Sequence, residues 1–185
     1  MTAEQGQALW QAPDRERLKG KRDRALLAFL LACGLRRHEL AELTIGHLQQ
    51  REGHWAIVDL RGKAGHVRTI PVPDWVHALL DDWTKAAEID AGRLFRRVSS
   101  AGKVWGEAVT EKLVWHVVKE FAAKIGVSRL APHDLRRYAE SRTMPNRCQG
   151  SSFGVELSDQ SDQLIRHSQV GSEPLKMANR STSGW

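Results

Sequence analysis

Four side chains, far apart in the chain, have the types needed to work on a phosphate together. Arg36 stands in "GLRRHEL", Lys63 in "RGKAGH", and His133 and Arg136 in "PHDLRR". His133 and Arg136 are three apart, so a helix would present them on one face. Guanidinium forks grip non-bridging phosphate oxygens with two parallel hydrogen bonds. A lysine or histidine can hand a proton to a departing oxygen. Gathered at one point, these groups would stabilise the charge of a phosphoryl group in transfer. Taken singly, each has a plainer reading: Arg36 facing solvent, Lys63 solvated at a turn, and a chance H-x-x-R.

The elements that must position them are readable from periodicity. "TAEQGQALWQA" reads as a short helix with Thr2 as N-cap. "KGKRDRALLAFLLACG" is a basic entry into a nearly all-apolar helix, and a helix apolar all round is a buried one. Gly34 stops it. Residues 36–48 read as a second helix, with Leu40, Leu43 and Leu48 facing inward. The period then changes: two β-rich runs, 54–60 and 66–72, flank "RGKAG" as a hairpin, and Pro73 ends the second. Residues 74–89 form an amphipathic helix with Asp74 as its cap. A loop follows, with a short strand at 94–98. Residues 110–126 form a helix capped by Thr110 and ended by Gly126. "SRLAPHDLRRYAES" opens a last one. The fold class expected is α+β, mainly helical, with a small β-hairpin or sheet. Trp55, Trp75, Trp83 and Trp115 read as core or rim residues.

Charge divides the chain. Of 28 Lys+Arg and 22 Asp+Glu in all, four of each fall in residues 144–185. The whole formal excess of +6 therefore lies in residues 1–143, where it could meet a polyanion. Cys33 and Cys148 fit neither a metal spacing nor a disulfide framework. The first residues carry no signal-peptide pattern, and the apolar run at 25–35 is too short to span a bilayer. The expectation is a cytoplasmic protein with no membrane partner.

The three blocks "ACGLRRHELAEL", "GKAGHVRTIPVP" and "APHDLRR", in that order, resemble the catalytic domain of the tyrosine recombinases, or phage integrases, of the Xer type. The likeness covers about residues 2–140 and implies an integrase-type fold and double-stranded DNA as partner. It implies a role for each motif residue. Arg36 matches the first catalytic arginine and Glu39 the acidic residue that supports the site. Lys63 matches the hairpin lysine, the general acid to the leaving 5′-hydroxyl. His133 and Arg136 match H-x-L-R, which binds the scissile phosphate and assists proton transfer. No cofactor and no metal are implied, because the family conserves bond energy in a phosphotyrosine link to DNA. Arg37, Arg68 and Arg137 are candidate DNA-backbone contacts, with a solvated side chain as the alternative for Arg37 and Arg68.

The departures matter as much. The family continues past H-x-L-R into a Leu-Gly-His box and a tyrosine nucleophile. The sequence has a single tyrosine, Tyr138, two residues after Arg136 and in the same helix. "LIRHSQVGSEPL" around His167 echoes the box faintly, but lacks its glycine, and no tyrosine follows. Residues 144–185 are rich in Ser, Gln, Asn and Gly, a composition that rarely offsets chain entropy by burial. The expectation is a partial catalytic domain over 1–143, incomplete at its C-terminus, with a divergent, disordered tail over 144–185. The family's amino-terminal DNA clamp is also expected to be missing. The function expected is DNA binding without strand cleavage. The alternatives are a recombinase that receives its tyrosine from another subunit, and a non-enzymatic basic helical DNA-binding domain.

Overall fold

The computed structural model describes residues 1–61 and 67–143. The order of elements is α1 (Ala3–Gln11), α2 (Leu18–Cys33), α3 (Arg37–Glu42), β1 (Leu48–Arg51), β2 (His54–Arg61), β3 (Val67–Val72), α4 (Asp74–Ala86), β4 (Arg97–Val98), β5 (Val104–Trp105), α5 (Glu111–Lys124) and α6 (Pro132–Thr143). No described helix is long and apolar enough to cross a membrane. Lys63, with the rest of 62–66, lies outside the described residues, as does the expected tail at 144–185.

Helix α2 is the axis of the fold. Leu26, Leu27, Phe29 and Leu30 are buried around its whole circumference, which is why it has no polar stripe. Helices α1, α3, α4, α5 and α6 and strand β3 all pack on it. Its early turns bury charge as well. Arg22 Nη2 lies 2.6 Å from Asp23 Oδ1, with both side chains almost fully enclosed. Loss of water there pushes the Asp23 carboxyl above its ordinary range, against the pull of Arg22.

Helix ends follow the expected chemistry in most places. Thr2 Oγ1 accepts from the Gln5 N–H, and Gln5 Oε1 accepts in return from the Thr2 N–H. Thr110 Oγ1 accepts from the Leu113 N–H at the start of α5. Asp74 does not cap α4: Pro73 holds the cap position, with φ −59° and ψ 146°, and Asp74 is already inside the first turn. The fixed φ of proline pre-sets that entry.

The helix expected over 36–48 is shorter. It stops at Glu42, and Leu43 is extended. The Leu94 N–H donates to the Leu43 carbonyl, and Thr44 bridges antiparallel to Arg93. A helical continuation would forfeit that pairing, so a single 3₁₀ turn (Ile45–His47) leads into β1 instead. Strands β1, β2 and β3 form an antiparallel sheet in that order, one strand more than the expected hairpin. Leu60 pairs with Arg68, which fixes where β3 presents that arginine. A separate two-stranded ribbon, β4–β5, occupies the region expected to hold one short strand. Among the tryptophans, Trp83 is fully enclosed and donates its indole N–H to the Leu94 carbonyl. Trp55 and Trp75 are partly buried against the core, and Trp115 is 38% exposed.

Gly34 closes α2 in the left-handed region, with φ 59° and ψ 34°. A Cβ there would stand 3.2 Å from the Ala139 Cβ of α6. The position therefore demands glycine twice, for its backbone and for the approach of α6. Gly34→Ala is expected to cost about 1–2 kcal/mol in backbone strain alone, plus displacement of α6. Gly102, with φ 75° and nothing near a Cβ, carries the strain without the contact. Urea unfolding should show a larger loss for Gly34→Ala than for Gly102→Ala. Equal losses would mean that α6 does not depend on the close approach.

Candidate functional site

The site is built around one buried carboxylate. Glu39 lies in the first turn of α3, with its side chain fully enclosed. Its Oε2 accepts from the backbone N–H of Arg36 at 2.7 Å, which satisfies an orphan donor at the helix start. Its Oε1 accepts from Arg36 Nη1 at 2.9 Å. Arg68 Nη2, from β3, donates to Oε2 at 2.7 Å. Arg136 Nη1, from α6, stands 3.9 Å from the same oxygen. Three guanidinium groups from three elements thus surround one carboxylate. The formal sum of these four side chains is +2, so they stay electropositive although Glu39 is neutralised several times over.

Arg136 is held by other groups. Its Nη1 donates to the Gly34 carbonyl at 3.1 Å, and its Nε lies 2.8 Å from Glu140 Oε1. The carbonyl that orients it belongs to the same glycine that ends α2. The sequence couples the two at this point: Gly34 turns the chain, points its carbonyl at α6, and leaves room for Ala139. Leu135 and Ala139 dock α6 on the core, with 0% and 2% exposure, which places Arg136 at the edge of that contact.

An open cleft of about 290 Å³ lies beside this cluster. Leu35, Arg36, Arg37 and His38 line one wall, and Pro132, His133 and Arg136 line another, with Glu111 at the start of α5. Of the residues singled out in the sequence, Arg36, Arg37, His133 and Arg136 meet here. Arg37 Nη2 lies 4.0 Å from Glu111 Oε2, and both side chains are about half exposed. Arg137 is exposed on α6. Arg68 points to Glu39 rather than standing free on the strand. The wall residues His38 and Glu111 were not singled out in the sequence. His38 was legible within "GLRRHEL", but Glu111 lies 72 residues beyond Glu39 in a segment with no motif.

Among the described residues, Cys33 and Tyr138, side chains with nucleophilic chemistry, lie away from the cleft lining. Burial pushes the Cys33 thiol up to about 12, so it stays protonated and inert. The Tyr138 ring packs against α1, its hydroxyl 3.3 Å from where a Cβ on Gly6 would stand. Among the described residues, no three His, Cys, Asp or Glu side chains gather closely enough to hold a metal ion.

A buried central helix wrapped by others, with small antiparallel sheets beside it, is the fold of the recombinase catalytic domains. A crystal structure of XerA recombinase superposes with a TM-score of 0.60 at 18% identity, over 80% of this chain and 52% of that one. The XerH site-specific recombinase, in a pre-cleavage complex with its difH substrate, also gives 0.60 at 18% identity, over 77% and 42%. At that identity the likeness is one of fold. The sequence carries it further. The chain belongs to the phage integrase family, whose sequence pattern matches residues 1–147. It is 35% identical over 133 residues to tyrosine recombinase XerD of Pseudomonas putida, which covers 70% of this chain and 43% of that protein. It is 31% identical over 115 residues to tyrosine recombinase XerA of Pyrococcus furiosus, covering 62% and 38%. The chain spans less than half the length of these relatives.

Proposed function

We propose that the described domain binds duplex DNA and seats one backbone phosphate between Arg36 and Arg136, and that this chain by itself makes no covalent link to it. One observation carries the reading. Both guanidinium groups line the same cleft, and the Glu39 carboxylate they approach is shared with a third. An anion-sized demand for hydrogen bonds is therefore left at the cleft wall. His133 lines the cleft at the first turn of α6, which supports reading it as a group that holds a phosphate oxygen or passes it a proton. The resemblance gives Lys63 the general-acid role, and Arg37 and Arg137 supply backbone contacts on the flanks. The family relationship favours this use of the cleft, since XerH is seen with its DNA substrate.

The test is affinity for a fluorescent duplex across a salt series. Binding should weaken steeply as salt rises, because each neutralised phosphate releases condensed counterions. Arg36→Ala and Arg136→Ala should each lower affinity about tenfold or more, the scale of one hydrogen bond to a charged group. Arg51→Ala, on β1 away from the cleft lining, serves as the control and should change little. Binding that ignores salt, or that is equal in all three variants, overturns the reading.

A further inference from the structure

The lone pairs of Glu39 Oε2 are already taken. The Arg36 backbone N–H donates to it at 2.7 Å and Arg68 Nη2 donates at 2.7 Å. A carboxylate oxygen offers about two acceptor sites in its plane. Arg136 Nη1 stands 3.9 Å away, outside hydrogen-bond reach, and donates to the Gly34 carbonyl instead, while its Nε pairs with Glu140 at 2.8 Å. The distance Arg136 would have to move to join the carboxylate is about 1 Å, the difference from an ordinary N–H···O length.

We infer that Arg68 is a positioning residue for the phosphate site: by occupying Glu39 Oε2 it keeps Arg136 off that carboxylate and leaves the guanidinium donors not used by Gly34 and Glu140 for an anion in the cleft. This rests on the phosphate reading of the cleft proposed above. Arg68 is suited to the task by where it comes from. It sits on β3, in register with Leu60 of β2, so the sheet and not a flexible loop delivers it. Its side chain is only 31% exposed and its Nε is buried without a hydrogen-bond partner. Without Arg68, the open site on Oε2 faces the Arg136 guanidinium, 3.9 Å away. Ion pairing in that enclosed setting would draw Arg136 in and bury a charge the cleft needs.

A direct phosphate contact by Arg68 makes a different prediction, and a double-mutant cycle separates the two. Arg68→Ala should lower duplex affinity about tenfold in the otherwise unaltered chain, close to the effect of Arg136→Ala, the scale of a hydrogen bond to a charged group. In the Arg136→Ala background, Arg68→Ala should cost less than about twofold, because its target is gone. Losses that multiply in the double variant would overturn the positioning role and mark Arg68 as an independent DNA contact. Arg68→Lys, which can still donate to Oε2, should recover most of the affinity. A readout that needs no ligand decides the matter if the DNA reading itself fails. In a crystal structure of the Arg68→Ala chain, Arg136 Nη1 should close to hydrogen-bond distance of Glu39 Oε2. If Arg136 stays on the Gly34 carbonyl, the inference is wrong whatever the chain binds. If it closes, yet Arg136→Ala leaves DNA affinity unchanged, the positioning stands and the phosphate reading falls.

Discussion

Glu39→Ala is expected to lower the unfolding free energy by about 3 kcal/mol, the low end of the cost of breaking a buried ion pair. The low end applies because Arg36 and Arg68, its partners, are 37% and 31% exposed and so partly rehydrate. The carboxylate itself is fully enclosed, so the variant removes the only anion among four converging charges. Three guanidinium groups would then repel one another across the edge of the cleft. The start of α3 would also lose the acceptor of the Arg36 N–H. For a domain of this size the melting temperature should fall by roughly 6–12 °C, at 2–4 °C per kcal/mol. Duplex binding should fall with it, since Arg36 would lose both of its hydrogen bonds to Glu39, although Arg136 keeps its Gly34 and Glu140 contacts. Glu111→Ala is the contrast. That carboxylate is 51% exposed and 4.0 Å from Arg37, so its removal should stay within about 0.5 kcal/mol. Calorimetry and urea unfolding of both variants check this. Equal effects would mean that Glu39 is not the anchor of the cluster.

How far the sequence foretold this site depends on which physical signal was local. Gly34 was legible because a glycine after an apolar helix has one common use, the left-handed stop. The enclosure of α2 was legible because its residues are apolar on every side. Thr2 and Thr110 announced their helices because a cap bonds only two or three residues ahead. The end of α3 was not legible. Leu43 and Leu48 fit a helical stripe, and the competing pairing of Leu43 and Thr44 with residues 93–94 comes from about 50 positions later. Arg68 failed in the same way: its partner lies 29 residues before it, and nothing around "HVRTIP" distinguishes an inward arginine from a solvated one. Asp74 misled because a proline can hold the entry of a helix without any side-chain acceptor. The grouping of Arg36 with His133 and Arg136 came from the ordered motifs of the family, not from any local rule. The geometry adds what motifs cannot: which atoms Glu39 holds, and that Arg136 is held by Gly34 and Glu140 instead.

The chain should form no covalent adduct with DNA, even with a nicked suicide duplex that traps cleavage products. Strand cleavage through a protein link needs an activated hydroxyl aligned with the phosphate. The sequence supplies one tyrosine, Tyr138. It follows Arg136 by two residues, which at about 100° per residue puts it on the opposite side of α6. Its ring is half-buried against Gly6 of α1, so reaching the cleft would require undoing the α1 contact and turning the helix. Cys33 offers no substitute, since its thiol is buried and protonated. Loss of a catalytic nucleophile costs on the order of 10⁶-fold in rate where it has been measured in a hydrolase. A denaturing gel after long incubation should therefore show free protein and intact substrate only. Tyr138→Phe should bind duplex as well as the unaltered chain, because its hydroxyl faces α1. A shifted band that survives denaturation would sink this account. If that band vanished in Tyr138→Phe, α6 would have to rotate on DNA. If it persisted, a nucleophile other than tyrosine would be acting at the Arg36–Arg136 cleft.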